Sequence, residues 1–198
     1  MTCNTFSREG ASVVIVDMDK EAAEKAAQEI NDKGGKALAV AANLTVAEER
    51  EAIFAKAVEK FGKVDILINN AGWGCKTPFL EMTEEPFDRS INLNMKATYF
   101  MIQLACKQMI KQGTGGRIVS TSSTAAFQGE KNGSIYSGTK AAIIAFSRAI
   151  ALEVGQYGIN VNCVAPGFTR TNNNGHIPGS IDENFLQITP TKRINEAQ

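Results

Sequence analysis

Short apolar runs rich in β-branched residues or alanine alternate along this chain with longer segments whose apolar positions recur at helical spacing. Residues 13–16, Val-Val-Ile-Val, follow Gly10 and end at Asp17. A continuous β-branched run of that length predicts a strand buried on both faces. Residues 20–33 alternate alanine with charge and stop at Gly34-Gly35, the signature of a helix and its C-terminal stop. The same alternation repeats: strands at 37–42, 64–68, 117–120 and 160–164, helices at 46–61, 85–111 and 136–157. Strand–helix alternation of this kind predicts an α/β fold. The sheet would be parallel and doubly wound, with right-handed crossovers and helices on both faces in three αβα layers.

In such a sheet ligands bind outside the carboxyl ends of the strands. Asp17, Asn43, the Asn70-Ala71-Gly72 stretch, Ser122-Ser123 and Pro166-Gly167 each follow a predicted strand, so they converge on one crevice. The most telling stretch is Tyr136-Ser137-Gly138-Thr139-Lys140. A phenol and an ammonium four residues apart share a helix face. At about 4 Å and an effective dielectric near 20 their attraction is roughly 4 kcal/mol, enough to carry a tyrosine from about pH 10 to about 7. That is a proton-transfer device; the plain alternative is an exposed helix pair worth a few tenths of a kcal/mol. Ser123 stands thirteen residues before Tyr136, as a donor for a substrate oxygen or as a turn serine, with Ser122 its competitor. Asn94 and Asn92 form a similar pair of alternatives within the long helix.

Bulk composition changes little. At 198 residues one domain, 1–198, is expected, with the polar stretch 171–190 either a mobile lid over the substrate or a disordered tail. Lys+Arg and Asp+Glu both number 21, and no basic cluster stands out, so neither nucleic acid nor an anionic membrane is an expected partner. Cys3, Cys75, Cys106 and Cys163 are widely spaced, and His176 has no acidic or thiol neighbours, which predicts reduced thiols and no metal. No apolar run approaches the roughly 18 residues of a spanning helix, so a cytoplasmic protein is expected.

Taken together, the Asn69-Asn70-Ala71-Gly72 stretch, the Ser123–Tyr136–Lys140 spacing, Asn94 within Asn92-Leu93-Asn94-Met95-Lys96, and Pro166-Gly167 followed by Thr171 resemble the short-chain dehydrogenase/reductase family. The resemblance runs from about Phe6 to Ile194. It implies hydride transfer between a nicotinamide cofactor and a secondary alcohol or ketone. Tyr136 would be the general acid/base, and Lys140 would lower its pKa and hold the nicotinamide ribose. Ser123 would bind the substrate oxygen, and Asn94 would position a relay water. Asp17 would take the adenosine ribose, favouring NAD over NADP, unless Asp17 or Asp19 simply caps the next helix. Asn43 would accept from the adenine amino group; Leu44, Asn70, Ala71, Gly72, Pro166, Gly167, Thr169 and Thr171 would line the cofactor. Trp73, Gly74, Cys75, Ala125, Phe127 and residues 168–188 would shape an apolar substrate pocket. The helices 85–111 and 136–157 would mediate homo-oligomerisation.

One part of the family pattern is missing: a first strand with the glycine-rich turn that holds the pyrophosphate. Residues 6–10 resemble the end of the helix that follows those glycines. In the strand order 3-2-1-4-5-6 the first strand is central, so the strands at 13–16 and 64–68 are expected to lack their shared neighbour. A second expectation, of a final strand beyond residue 198, also follows from the resemblance. The reading is therefore of a chain shortened at both ends, poorly stable alone and weak in holding NAD. The alternative is a catalytically inactive homologue that serves as a folding or oligomerisation partner.

Overall fold

The structure, a computed structural model, describes residues 2–170 and 195–196. Thr171, His176 and the expected lid at 171–190 lie outside the described residues.

The chain opens with α1 (Thr2–Arg8), whose last residues are the helix end expected at 6–10, followed by Gly10 at φ +89°. Then come β1 (Ser12–Asp17), α2 (Lys20–Asn31), β2 (Lys36–Ala41), α3 (Ala47–Phe61) and β3 (Ile66–Asn69). The long helix expected at 85–111 is three pieces: α4 (Glu84–Ser90), a π-helical stretch from Ile91 to Ala97, and α5 (Thr98–Gln112). After it come β4 (Gly116–Thr121), the short α6 (Ala125–Gln128), α7 (Ser134–Val154), β5 (Ile159–Val164) and the two-residue strands β6 (Thr169–Arg170) and β7 (Asn195–Glu196). α6 and the β6–β7 pair have too few residues to show a period in the sequence.

All strand pairs are parallel, as the alternation required, but they form separate ladders. β1 pairs with β2, Val14 opposite Leu38, and β3–β4–β5 pair with Leu67 opposite Ile118 and Ile118 opposite Val161. β1 and β3 share no ladder, so each keeps one unpaired edge among the described residues, as the missing central strand predicted. The physical consequence differs from the expectation in one respect. A buried orphan amide costs about 1 to 3 kcal/mol. No residue of β1 or β3 is buried, however, and Ile66 is 44% exposed. Solvent reaches both strands, so the cost falls on half-exposed valine and isoleucine side chains as well as on hydrogen bonds.

A single apolar core nevertheless runs under both ladders. Ile102, Ala105 and Met109 of α5 are fully buried against Ile118 of β4 and Ile159 of β5. Val40 of β2 and Ile53 and Phe54 of α3 join the same cluster. At the bottom of the larger sheet Gly115, at φ +68°, passes Gly158 so closely that a Cβ would stand 2.6 Å from its carbonyl oxygen, which only glycine permits there.

Candidate active site

The carboxyl ends of β3, β4 and β5 and the first turns of α7 meet on one side of the larger sheet. Lys140 sits on the second turn of α7 and is 5% exposed. Its ammonium donates to the carbonyl of Thr121 at 2.7 Å, and burial pushes its pKa below the ordinary 10.5. Four residues earlier Tyr136 lies on the same face, with Lys140 Nζ 5.7 Å from the centre of its ring. The backbone around the pair is fixed from β4: Ser122 Oγ donates to the Lys140 carbonyl at 2.8 Å and is itself buried. Ser122 is therefore committed to joining β4 to α7. Ser123 is half-buried, and its Oγ accepts from Ala125 N at 3.2 Å at the start of α6, which leaves the hydroxyl proton free to donate.

Asn94 is fully buried within the π-helical stretch, the kind of local widening that recurs at functional sites. Its side-chain amide grips the backbone of Trp73 in both directions: Oδ1 accepts from Trp73 N at 2.7 Å and Nδ2 donates to Trp73 O at 2.9 Å. Nδ2 also lies 3.3 Å from both Ser90 Oγ and Thr139 Oγ1. Thr139 Oγ1 in turn donates to the Tyr136 carbonyl at 2.8 Å. One amide thus ties the loop after β3 to the helix that carries Tyr136 and Lys140. Asn92, two residues away, carries no such network.

Gly72 is the point where the loop and the helix come closest. A Cβ there would stand 3.3 Å from Asn94 Oδ1, closer than side chains ordinarily pack, and 3.4 Å from Lys140 Nζ, in van der Waals contact. Beside it, Asn70 Oδ1 accepts from Thr121 Oγ1 at 3.2 Å, and Ala71 is exposed. Arg89 stacks on the Trp73 ring at 4.3 Å, covering the loop from the outside. Of the residues expected in the substrate pocket, Cys75 is buried with its sulfur 3.6 Å from Thr77 Oγ1, and Phe127 is exposed. On the β5 side, the Pro166 carbonyl accepts from Thr124 N at 3.1 Å, and Thr169 Oγ1 donates to the Gly167 carbonyl at 3.3 Å. These bonds hold 166–169 against the Ser123 turn.

The remaining predicted residues lie at the ends of β1 and β2. Asp17 is exposed at the end of β1, and its Oδ1 accepts from Asp19 N at 3.0 Å. The helix cap is Asp19, which accepts from Ala22 N at 3.0 Å, so Asp17 is not spent on capping α2. Asn43 Oδ1 accepts from both Thr45 N at 3.0 Å and Thr45 Oγ1 at 2.8 Å. Leu44 offers its carbonyl to Arg50 Nη1 at 2.6 Å.

These geometries coincide with a family pattern across most of the chain, since the sequence profile of the short chain dehydrogenases matches residues 1–180. The chain belongs to that family. Among short-chain dehydrogenases it is 38% identical over 162 residues to sorbitol dehydrogenase of Cereibacter sphaeroides, covering 82% of this chain and 62% of that one. It is 37% identical to 7alpha-hydroxysteroid dehydrogenase of Escherichia coli strain K12, over 98% of this chain and 76% of the other. The crystal structure of NAD+-bound xylitol dehydrogenase superposes with a TM-score of 0.92 at 29% identity, over 98% of this chain and 81% of that one. The chain thus spans less than two thirds of sorbitol dehydrogenase and about three quarters of the hydroxysteroid enzyme. Its fold is the Rossmann-like α/β fold of these neighbours.

Two buried polar residues, one inside this cluster and one outside it, were not anticipated from the sequence. Thr139, three residues after Tyr136, had a legible signal: a mid-helix threonine can bond back to the carbonyl one turn earlier. Arg50 had none, because an arginine on a charged helix reads as solvent-facing, yet it is 5% exposed.

Proposed function

We propose that the chain is an NAD-linked oxidoreductase that interconverts a secondary alcohol and a ketone, with Tyr136 as the general acid/base. The observation that carries this reading is the packing of Lys140 Nζ and Asn94 Oδ1 against Gly72 beside the Tyr136 ring. Packing alone gives no reason to bury an ammonium next to a phenol and a side-chain-free loop.

A nicotinamide cofactor, when bound, supplies the hydride acceptor or donor; the residues present fit its two ends. The bare Gly72 surface between Lys140 and Asn94 suits the nicotinamide ribose, and the exposed carboxylate of Asp17 suits the adenosine ribose hydroxyls. A carboxylate there repels a 2′-phosphate, hence NAD over NADP. Asn70, Ala71, Gly72, Pro166, Gly167 and Thr169 would line the path between. Tyr136 Oη takes the alcohol proton, or returns it in reduction. The Lys140 ammonium, 5.7 Å from the centre of the Tyr136 ring, would hold the nicotinamide ribose beside it. Ser123, whose proton is uncommitted, donates to the substrate oxygen as charge grows on it. Asn94 acts first by fixing Trp73, and the second lone pair of its Oδ1 would accept from the relay water.

A second reading, self-association without catalysis, draws support from apolar residues left in solvent on the helical layer: Phe87 on α4, Tyr99 and Ile110 on α5, and Leu152 on α7, the last 88% exposed. A homo-oligomer through these helices is compatible with either reading, as is a cytoplasmic location. No helix of the described residues is long and apolar enough to cross a membrane.

A panel of secondary alcohols with NAD, read by NADH absorbance, tests the enzyme. The expected result is turnover on at least one alcohol that falls about 10²- to 10⁴-fold in Tyr136→Phe with cofactor binding retained. Equal turnover in the variant sinks the proton role, and an inert but well-folded oligomer supports the second reading.

A further inference from the structure

Arg50 presents a physical puzzle outside the catalytic cluster. It lies on the first turn of α3, 5% exposed, with no described carboxylate in ion-pair distance and with Nε lacking any hydrogen-bond partner. Its guanidinium lies 5.5 Å from the centre of the Phe100 ring on α5. A buried cation without a counter-charge is a poor way to stabilise a fold; a linear apolar side chain would fill the same space on Phe100 at lower cost. What arginine supplies there, and an apolar residue cannot, is a charged donor to the Leu44 carbonyl at 2.6 Å.

That bond is one of several that immobilise the turn after β2. Val46 N donates to the Asn43 carbonyl at 3.0 Å, closing the turn, and Thr45 N and Oγ1 both bond back to Asn43 Oδ1, an Asx turn. Glu49, beside Arg50, accepts from Asn43 N at 2.6 Å. The turn is held at both of its first two residues by consecutive side chains of α3. Among the described residues the groups left over are donors: Asn43 Nδ2 and Leu44 N have no hydrogen-bond acceptor. The acceptor of Asn43, expected to meet the adenine amino group, is already occupied twice.

We propose that Arg50 is a positioning residue for the adenosine end of the dinucleotide. By pinning the Leu44 carbonyl inward it aims the Leu44 N–H and the Asn43 amide NH2 at the ring nitrogens of the base. The base is therefore read through its acceptors and not through its exocyclic amino group. This rests on the reading of the chain as a dinucleotide-binding dehydrogenase.

The test compares ADP-ribose with reduced nicotinamide mononucleotide, which lacks the adenosine, binding to wild type, Arg50→Met and Arg50→Lys by calorimetric titration. Arg50→Met keeps the side-chain length and removes the donor. It is expected to weaken ADP-ribose about tenfold, the scale of one charge-assisted hydrogen bond, and to leave the mononucleotide unchanged. Arg50→Lys, which retains a charged donor, should recover part of the loss. In parallel, amide order parameters from NMR for residues 43–46 should fall in Arg50→Met while those of α7 hold. A purely structural arginine would instead weaken both ligands together and loosen both regions, which overturns the proposal. Unchanged order parameters at 43–46 overturn it as well, whether or not ligand binds. A turn that loosens while wild type binds neither probe contradicts the dinucleotide reading itself, and with it the role assigned to Arg50.

Discussion

The β3–β4–β5 side and the β1–β2 side of this molecule are built from the same kind of sequence, yet they end in different physical states. On the first, β4 is paired on both edges, Ile118 and Ile159 are sealed beneath α5, and polar groups are locked in pairs: Asn94 with Trp73, Ser122 with Lys140, Lys140 with Thr121. On the second, β1 is paired on one edge and none of its residues is buried, although its core is as β-branched as any in the chain. Composition made both strands; only neighbours on both edges make one of them an interior. The residues proposed for proton transfer lie wholly on the closed side, whereas Asp17 and Asn43, proposed for the adenosine end, hang from the open one. Preorganisation is where catalysis draws its largest effects, so the division is functionally sensible.

The comparison can be broken at its strongest point by matched truncations. Ile118→Ala in β4 should cost about 2 to 5 kcal/mol in denaturant unfolding, as fully buried large-to-small changes do. Val14→Ala in β1 should cost well under half of that, because its valine is already partly in water. Equal costs would mean that β1 is sealed from water as fully as β4.

Next in size is the joint between loop and helix. Asn94→Ala leaves both Trp73 backbone groups unpaired, an expected loss of about 1 to 3 kcal/mol. It should also free the Trp73 loop, seen as a change in tryptophan fluorescence, with no effect on β1 and β2. A fluorescence spectrum identical to wild type would show that the grip is not needed.

The smallest effect is the dependence of stability on pH. Burial holds Lys140 below its ordinary 10.5, so between the lowered folded value and 10.5 the unfolded chain binds more protons than the folded one. The penalty is fully present at pH below the folded value, and stability from this group rises as pH climbs through the window. Lys140→Met should lose that rise, and a wild type whose stability stays level or falls where Lys140→Met behaves identically would contradict the assignment of a buried, cation-disfavouring site.

Much of this was legible in the sequence because its signals are local. The Val13–Val16 and Ile118–Val119 runs, the Gly34 and Gly62 stops and the four-residue spacing of Tyr136 and Lys140 each follow from chain periodicity. The unpaired edges of β1 and β3 were also legible, through strand order. Two features were not. The π-helical stretch around Asn94 has an ordinary helical composition, and the partner of its buried amide is the Trp73 backbone, twenty-one residues away. Arg50 reads as a surface charge because its burial is created by Phe100 and Leu44, from other elements.

Native-state hydrogen exchange tests the difference between the two sides most directly. The ladder amides of Ile118, Ser120 and Asn162 should exchange only through global unfolding, while those of Ile15, Leu38 and Val40 should exchange through a smaller opening of lower free energy that denaturant barely affects. Equal protection on both ladders, with the same denaturant dependence, would contradict the account.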